Sequence, residues 1–430
     1  MKEKLSRDFI INLSKEKNEP EWMLEIRLKA YDKFLSLDNP KFGPILDLDF
    51  DDICYYKKVN KDMTNNWNQV ACNIRDTFDE LGVIKAEKEY LGGVTNQIES
   101  EVFYHNTSVN DDIIFTSTDD ALKKYPDLFK KYFNNLVKYD ENKYTALNTA
   151  VWSGGSFIYI PKNTKLDRPL QSYFRINSKS LGQFERTIII VDDNADLSYI
   201  EGCTAPTYSS NSLHAGVVEI YVGKHAHCRY STIQNWSTDV FNLVTKRSIV
   251  DDYGQMEWVD GNIGSKVTMK YPSCILKGNY SKGNSISIAY AKENQKLDAG
   301  AKMIHLGHHT QSNIVSKSIA QNGGVANYRG TTKISKDAYN SKASIKCDTI
   351  LLDGKSISDT YPKNVLENKT STLEHEATVS KINEEKLFYL TSKGMSEDLA
   401  KELLIMGFIN DFKKELPMEY AVELNRLIKS

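Results

Sequence analysis

The residues most able to do chemistry are the cysteines, and one of them stands in an unusual setting. Cys203 lies at the end of an apolar strand, in the run Glu201-Gly202-Cys203-Thr204-Ala205-Pro206. Gly202 leaves room for another chain to approach closely, and Pro206 prevents the strand from continuing into a helix. A thiol in such a place becomes a nucleophile when cationic neighbours lower its pKa. With such neighbours we expect Cys203 to be exposed and reactive; the alternative, which holds for any of the cysteines, is a small buried apolar residue.

The remaining cysteines give no zinc or disulfide framework. The six cysteines of the sequence are Cys54, Cys72, Cys203, Cys228, Cys274 and Cys347. None forms a C-x-x-C pair, which excludes a zinc ribbon and a thioredoxin-like motif. The N-terminus carries too many charges of both signs for a signal peptide, so we expect the protein to stay inside the cell, where thiols remain reduced.

A second candidate site combines Cys347 with the run Leu373-Glu374-His375-Glu376-Ala377. Together these residues offer a thiolate, an imidazole and carboxylates. That set suits an iron or iron–sulfur species that is bound loosely enough to leave again. The alternative is a solvated strand end with no ligands.

Polar side chains also recur at every second position within apolar strands. The residues concerned are Arg175 with Asn177, Thr232 with Gln234 and Trp236, and Glu185 and Lys246 in similar runs. Exposure to solvent is one explanation of this alternation. The other is a polar path through the inside of a closed β-structure, where buried polar groups need partners.

Several function classes are excluded. Lys and Arg number 55 against 57 Asp and Glu, a net charge of −2, so the chain lacks the basic excess of a nucleic-acid-binding protein. No apolar run approaches the roughly 18 residues of a membrane span. No Walker A motif is present, so the chain should not hydrolyse ATP. The run His225-Ala226-His227-Cys228 places two imidazoles on one face, too few for zinc, and predicts a turn-flanking pair.

The elements that must position these residues fall into three zones. The first, to about residue 105, is helical: Pro20 precedes an apolar stripe of Leu24, Leu28, Tyr31 and Leu35, and short helices are expected at 77–81 and 85–91. A bridge follows, with another helix expected at 119–133. Short Val-, Ile-, Thr- and Tyr-rich runs then follow from about 150 to 370, with no helical stripe between them. This pattern fits a parallel β-helix. From about 377 the chain is helical again, with caps at Ser396 and a last helix from Pro417.

Seven runs spread along almost the whole chain are distinctive as sequences. They are Asn18-Glu19-Pro20-Glu21-Trp22-Met23, Glu99-Ser100-Glu101-Val102, Ala150-Val151-Trp152-Ser153-Gly154-Gly155-Ser156-Phe157, Tyr173-Phe174-Arg175-Ile176-Asn177, Gly182-Gln183-Phe184-Glu185-Arg186-Thr187, Glu201-Gly202-Cys203-Thr204-Ala205-Pro206 and Leu373-Glu374-His375-Glu376-Ala377. In this order they strongly resemble the SufB branch of the SufB/SufD family, the scaffold proteins of iron–sulfur cluster assembly.

The resemblance implies a mainly β fold, a right-handed parallel β-helix core flanked by N-terminal and C-terminal α-helical regions. It implies a helical region at residues 1–105, a β-helix core at 106–376 and a C-terminal helical region at 377–430 that docks the SufC ATPase.

The same resemblance assigns residues. Cys203 matches the family's sulfur acceptor. The positions that match residues lining or supporting the sulfur route are Arg175, Asn177, Glu185, Thr232, Gln234, Trp236 and Lys246. The nascent cluster site matches Cys347 with Glu374, His375 and Glu376, and we expect Cys347, His375 and Glu376 to meet iron. Cys274 is expected to support the site, and we assign no role to Cys54 or Cys72.

The implied partners are SufC, either SufD or a second SufB, and a sulfur donor, SufE or SufU with the cysteine desulfurase. The chain would be a scaffold rather than an enzyme, with ATP hydrolysed by SufC and an iron–sulfur cluster held transiently. Binding of a reduced flavin is left open, as is the choice between the cytoplasm and a plastid stroma. The alternatives are a SufD-like subunit and a β-helix polysaccharide lyase or hydrolase, which are usually secreted.

Overall fold

The fold is known from a computed structural model that describes residues 4–58, 63–70, 75, 90–206 and 211–415. The described residues contain eight α-helices. They are α1 (Arg7–Glu16), α2 (Glu21–Ser36), α3 (Thr118–Lys124), α4 (Pro126–Tyr132), α5 (Lys143–Val151), α6 (Glu384–Ser392), α7 (Glu397–Phe408) and α8 (Asn410–Lys414). Side chains cap several of them: Ser6 accepts a hydrogen bond from the backbone of Phe9 at the start of α1, and Ser396 from Leu399 at the start of α7.

Strands make up the middle of the chain, and no helix interrupts them between residue 152 and residue 383 of the described part. They are β1 (Gly93–Ile98), β2 (Glu101–Thr107), β3 (Ile114–Ser117), β4 (Ser156–Ile160), β5 (Leu170–Arg175), β6 (Gly182–Gln183), β7 (Arg186–Val191), β8 (Asp196–Thr204), β9 (Ser212–His214), β10 (Val217–Val222), β11 (His227–Trp236), β12 (Val240–Val250), β13 (Gln255–Gly264), β14 (Val267–Lys270), β15 (Ser273–Leu276), β16 (Lys282–Ala291), β17 (Lys296–His305), β18 (Gln311–Ala320), β19 (Val325–Ile334), β20 (Lys342–Leu351), β21 (Thr360–Leu366) and β22 (Thr372–Lys381).

These strands coil into a parallel β-solenoid of about eight turns. The first sheet has the order β2-β1-β5-β8-β11-β13-β16-β18-β20-β22, and the second follows β21-β19-β17-β14-β12-β10-β7-β4-β3, with β6, β9 and β15 beside that path. All neighbours pair in parallel except β1 with β2 and β3 with β4. The predicted mainly β fold, a parallel β-helix with flanking helices, is therefore confirmed.

The space between the two sheets is the main core, because alternate side chains of every strand point into it. Its apolar members include Tyr230, Trp258 and Met303. The helices cover the outside. The N-terminal helices pack Ile10 and Phe34 with residues of the second sheet, and α7 and α8 supply apolar side chains to a cluster on the first sheet.

A buried ion pair ties the N-terminal helices to the solenoid. Arg27 of α2 is fully buried, lies 2.6 Å from a carboxylate oxygen of Glu19, and donates hydrogen bonds to the carbonyls of Ala150 and Trp152. Two of the distinctive runs, those around Glu19 and Trp152, therefore meet at one junction. The predicted stripe on α2 was wrong in part, since Leu35 is exposed and the buried side includes Arg27.

One corner of the solenoid is a ladder of stacked rings. His225, Tyr253, Tyr280 and His309 all have positive φ, between 54° and 59°, and occupy equivalent turns. Neighbouring rings are 4.7 to 4.9 Å apart at their centroids and nearly parallel. His225 is thus a turn residue, as expected, while His227 begins β11 beside Asp196.

The predicted domain boundaries, between residues 105 and 106 and between residues 376 and 377, stay a prediction. Strands of the solenoid nevertheless extend beyond both boundaries, into the regions expected to be helical. β1 and β2 begin before residue 106, and β22 runs to Lys381. Helices at 119–133 and after residue 383 lie where the sequence predicts them. The helices predicted at 77–81 and 85–91 fall almost entirely outside the described residues, and so do Cys72 and the last helix from Pro417.

Candidate functional site

Cys203 is buried near the end of β8 rather than exposed. Its exposed fraction is 1%, and it belongs to an apolar cluster with Phe174, Leu181 and Trp236. The thiol points toward an oxygen of Glu201, and the Sγ–Oε1 distance is 3.9 Å. Burial and then the Glu201 carboxylate raise the pKa of Cys203 well above its ordinary value. The expected exposure was therefore wrong, and the thiol is held in its protonated form.

Ion pairs surround Glu201 inside the solenoid. Lys246 lies with its Nζ 3.3 Å from Oε1 of Glu201 and 4.5 Å from the centre of the Tyr230 ring. The Tyr230 hydroxyl donates a hydrogen bond to the other oxygen of Glu201. All of these side chains are buried, so each charge depends on its neighbours for the stabilisation that water would otherwise supply.

A second pair, Asp260 with Lys270, continues this charged cluster. The Lys270 Nζ is 2.9 Å from Asp260 Oδ1, and the Thr232 hydroxyl donates to the same oxygen at 2.6 Å. Lys246 is 3.9 Å from it as well. Burial lowers the pKa of Lys270, whereas the pKa of Asp260 is lowered despite its burial, because Lys270 and Lys246 stabilise the carboxylate.

A chain of hydrogen bonds links Glu185 to Gln234 on the opposite side of the same space. His214 Nε2 is 2.5 Å from Glu185 Oε1, and its Nδ1 is 2.8 Å from Asn242 Oδ1. Asn242 in turn donates from Nδ2 to Gln234 Oε1 at 2.8 Å. Burial opposes a charge on His214, but the Glu185 carboxylate outweighs it and raises the pKa of the imidazole.

Five of the predicted route residues therefore meet in one buried cluster, and two do not. Those that meet are Glu185, Thr232, Gln234, Trp236 and Lys246. Arg175 follows the inward-pointing Phe174, so it faces away from the interior, where its Nε donates to Asn177 Oδ1 at 2.9 Å. Both Arg175 and Asn177 are half-buried outside the cluster. Their part in a sulfur route stays a prediction.

Sequence reasoning missed four members of the cluster: His214, Asn242, Asp260 and Lys270. Each alternates with apolar residues in its strand, which is the signal by which the other polar residues were found. Asp260, for example, pairs in register with the predicted residue Thr232 across β11 and β13, which places it in the same cluster. That pairing depends on the strand register, which no single strand reveals.

The register also connects the two cysteine sites. One inward-facing column passes through neighbouring strands of the first sheet in the order Glu201, Thr232, Asp260, Ser287, Ser316, Cys347. Ser287 donates a hydrogen bond to Ser316 at 3.2 Å. Five steps of about 4.8 Å separate the ends, so the column spans roughly 24 Å. It begins two residues from Cys203 and ends on Cys347, and every member has a polar side chain.

Cys347 faces the interior from β20 and is 3% exposed. Burial raises the pKa of Cys347 to about 12, an effect that the neighbouring Tyr328 hydroxyl partly offsets. On β22, Ala377 pairs with Cys347 and His375 pairs with Ile345, so His375 points to the same side as Cys347. Asn364 lies 3.0 Å from His375 Nδ1, and Nε2 has no hydrogen-bond partner among the described residues.

Glu374 and Glu376 point the other way. They pair with Ser344 and Lys346, which alternate with the inward residues, and Glu376 lies 3.8 Å from the Lys346 ammonium on the outer face. The structure thus brings His375 onto the side of Cys347 but not the two carboxylates. Within the described ranges, no group of three or more His, Cys, Asp or Glu side chains could hold a metal ion.

The solenoid ends at this site with two strand edges that pair with no further strand in the described part of the chain. β22 is the last strand of the first sheet and β21 the last of the second. Most of their side chains are exposed, including Tyr361 and Val379. Free edges of this kind are ready to pair with another chain.

Comparison with known proteins agrees with this architecture. Residues 174–408 match the family described as "SUF system FeS cluster assembly, SufBD core domain", and residues 15–172 match "SufBD protein N-terminal region". The chain belongs to the SufBD family. Proteins named "Iron-sulfur cluster assembly SufBD family protein" from Staphylococcus epidermidis and Staphylococcus aureus are 55% and 56% identical over 429 residues, covering 99% of this chain and 92% of each relative.

A SufBD family protein takes part in iron–sulfur cluster assembly by the SUF system, and this is the function that family membership gives the chain. Participation in that system implies other Suf proteins as partners and an association with an iron–sulfur cluster. In the described part of the chain, no helix combines the length and the apolar composition that crossing a membrane requires.

Proposed function

We propose that this chain is the sulfur-accepting scaffold of the SUF system, equivalent to SufB. It receives sulfur on Cys203, passes it through the solenoid and builds a nascent cluster at Cys347. The observation that carries the proposal is the in-register polar column that joins the surroundings of Cys203 to Cys347. A purely structural interior would need neither the ion pairs nor the hydroxyls, because apolar residues of similar volume fill a core at less cost.

The first step is a transfer of sulfane sulfur with no net oxidation. The Cys203 thiolate attacks the terminal sulfur of a persulfide on the donor, SufE or SufU loaded by the cysteine desulfurase. The donor's S–S bond breaks, its own thiolate leaves and takes a proton, and Cys203 holds the persulfide. Since Cys203 is buried, the strand end around it must open for the donor to reach it.

At the other end, Cys347 and His375 fit a nascent cluster, which is cargo here. A thiolate and a neutral imidazole suit iron, and Nε2 of His375 has no partner among the described residues. Two ligands from one chain leave coordination positions open. We propose that SufD or a second SufB supplies the rest across the free edges of β21 and β22. Glu376 could contact the cluster only from the outer face of β22.

The C-terminal helices are the proposed docking surface for the SufC ATPase. Phe388 and Tyr389 of α6 are 74% and 60% exposed, and Leu399 and Leu403 of α7 are also exposed. Large apolar side chains gathered on a helix pair typically mark a protein interface. Because the sequence lacks a phosphate-binding loop, ATP hydrolysis is assigned to SufC and the chain itself is a scaffold. Its proposed compartment is the cytoplasm, where thiols stay reduced.

The test is anaerobic co-expression with the other Suf proteins, using sulfur-labelled cysteine as the source. We expect Cys203→Ala to acquire no sulfane sulfur, and Cys347→Ala to acquire it on Cys203 without developing the absorption of an iron–sulfur cluster. Cys228→Ala is the matched control, since Cys228 is another fully buried thiol of the interior and has no assigned role. Normal sulfur acquisition by Cys203→Ala, or an unchanged cluster spectrum of Cys347→Ala, would contradict the proposal and favour a SufD-like role.

A further inference from the structure

The amide of Gln234 is fixed in one orientation by its neighbours. Its carbonyl oxygen accepts hydrogen bonds from Lys270 Nζ at 3.2 Å and from Asn242 Nδ2 at 2.8 Å. An ammonium group can only donate, so the oxygen of the amide must face Lys270. The amide nitrogen of Gln234 therefore points to the remaining side of the side chain.

The orientation of the Asn242 amide is fixed in the same way, by Glu185 and His214. Glu185 can only accept, so His214 donates to it through Nε2. Asn242 Oδ1 can only accept, so His214 Nδ1, which lies 2.8 Å away, donates to it, and the Glu185 carboxylate raises the pKa of the ring in the same sense. The nitrogen of Asn242 then faces Gln234. A carboxylate at one end and an ammonium at the other thus fix the direction of every hydrogen bond between them.

The result is a pair of buried donors that are left without acceptors. Gln234 Nε2 and Trp236 Nε1 have no hydrogen-bond partner among the described residues, and both side chains are at least 98% buried. Gln234 is the direct register partner of Cys203, and Trp236 lies two residues further along the same inward face. Unsatisfied buried donors destabilise a protein, so two of them beside a thiol indicate an acceptor that arrives with the reaction.

We propose that His214, Asn242 and Lys270 are positioning residues that aim the Gln234 amide, together with the indole N–H of Trp236, at a sulfur anion next to Cys203. This inference rests on the proposed function. The acceptor is the terminal sulfur of a Cys203 persulfide. No bond is made or broken by these residues, which act by stabilising the anionic form of the persulfide.

The walls of the site favour sulfur over a harder anion. Phe174 and Leu181 line the same cluster as Cys203, so the walls beside the donors are apolar, while the Glu201 carboxylate lies 3.9 Å from the thiol sulfur on another side. Phosphate or a carboxylate would lose a strong hydration shell there and recover only two hydrogen bonds. A persulfide anion is weakly hydrated and polarisable, and it is already tethered at the correct place by its covalent bond.

The experiment loads the purified full-length chain with inorganic polysulfide under anaerobic conditions. The near-ultraviolet absorption of the persulfide anion is then followed against pH, and mass spectrometry of the Cys203 peptide confirms the site. The variants are Asn242→Asp, which lets the Gln234 amide turn its nitrogen toward the new carboxylate, and Trp236→Phe, which removes only the indole donor. Asn96→Asp is the matched control, because Asn96 is another fully buried asparagine but lies on the outward side of β1, in register with Tyr173.

Loss of one hydrogen bond to the anion should raise the pKa of the persulfide by about one unit, a tenfold change in its ionisation. We expect this shift in Asn242→Asp and in Trp236→Phe, but not in Asn96→Asp. A general loss of structure would not move this midpoint selectively. If Asn242→Asp fails to fold, Trp236→Phe and Gln234→Glu carry the test.

Two negative results have different meanings. If the wild-type chain holds a persulfide on Cys203 but the variants ionise at the same pH as the Asn96→Asp control, the positioning role is wrong and the proposed function stands. If the wild-type chain takes up no sulfur on Cys203, from polysulfide or from its protein donor, the proposed function is wrong and the inference falls with it.

Discussion

Replacing Glu201 by glutamine should make Cys203 markedly more acidic. The carboxylate oxygen lies 3.9 Å from the thiol sulfur and opposes formation of the thiolate. At an effective dielectric constant of about 20, two unit charges at this distance interact by about 4 kcal/mol, which corresponds to roughly three pKa units. Lys246, 3.3 Å from the same carboxylate, cancels part of this repulsion. We therefore expect the pKa of Cys203 to fall by about one to three units in Glu201→Gln.

The assay is the pH dependence of thiolate absorption near the far-ultraviolet edge, taken as the difference between each protein and its Cys203→Ala counterpart. The rate of modification by a small thiol reagent gives an independent midpoint. Glutamine keeps the shape of the side chain and can still accept the hydrogen bond from Tyr230, so the interior should remain packed.

The control is Glu257→Gln, which removes a carboxylate from the outer face of β13, where it pairs with Arg229. It should leave the midpoint of Cys203 where it was. The reasoning is refuted if Glu201→Gln leaves the midpoint unchanged or raises it, since either result would mean that Glu201 is protonated or that Lys246 cancels its charge completely.

Three other predictions follow from the packing. Ser316→Val should interrupt the interior column, so that labelled sulfur still loads at the sulfur acceptor but fails to reach Cys347, as peptide mass spectrometry would show. Glu19→Gln should leave Arg27 without its counter-charge in a fully buried place, lowering the free energy of unfolding by about 3–5 kcal/mol in urea titrations. Phe388→Ser should abolish co-purification of the partner ATPase while leaving the melting temperature unchanged, because the side chain is exposed.

Each of these has a matched control in the same chain. Ser285→Val lies in the neighbouring inward column, where its register partner Ile314 is already apolar, and should leave sulfur transfer intact. Glu25→Gln breaks an exposed pair with Lys29 and should not measurably change stability. Leu35→Ser removes an exposed apolar side chain from another helix and should not affect ATPase binding. If a control variant shows the same effect as its test variant, the corresponding prediction is wrong.

The fold could be predicted from the sequence because each helix and strand is marked by residues within or next to it. Turn residues separate the strand-like runs, and Ser396 and the acidic residues after it mark the start of α7. The absence of a fixed repeat has a physical reason. The starts of successive strands in the first sheet are 27 to 31 residues apart, at His227, Gln255, Lys282, Gln311, Lys342 and Thr372. Because the turns between strands differ in length, the sequence shows no fixed repeat.

The site was harder to predict, because alternation does not say which side of a strand faces inward. Arg175 and Gln234 both alternate with apolar neighbours, yet Arg175 points outward and Gln234 inward. The difference is set by the register of each strand against its neighbours. For the same reason the glutamates beside His375 were expected at the cluster site, although adjacent residues of a strand must point to opposite faces.

The distribution of charge along the interior bears on how sulfur would travel. Glu201, Lys246, Asp260 and Lys270 lie at the Cys203 end of the column, and the two steps before Cys347 are serines. At the first part the ammonium groups of Lys246 and Lys270 favour an anion while the carboxylates of Glu201 and Asp260 oppose it, and at the second part only neutral hydroxyls are present. Ion pairs all along the path would hold sulfur too tightly for release, and an apolar path would exclude it. In the proposed sulfur route, a charged cluster at Cys203 followed by neutral hydroxyls would permit capture at one end and delivery to Cys347 at the other.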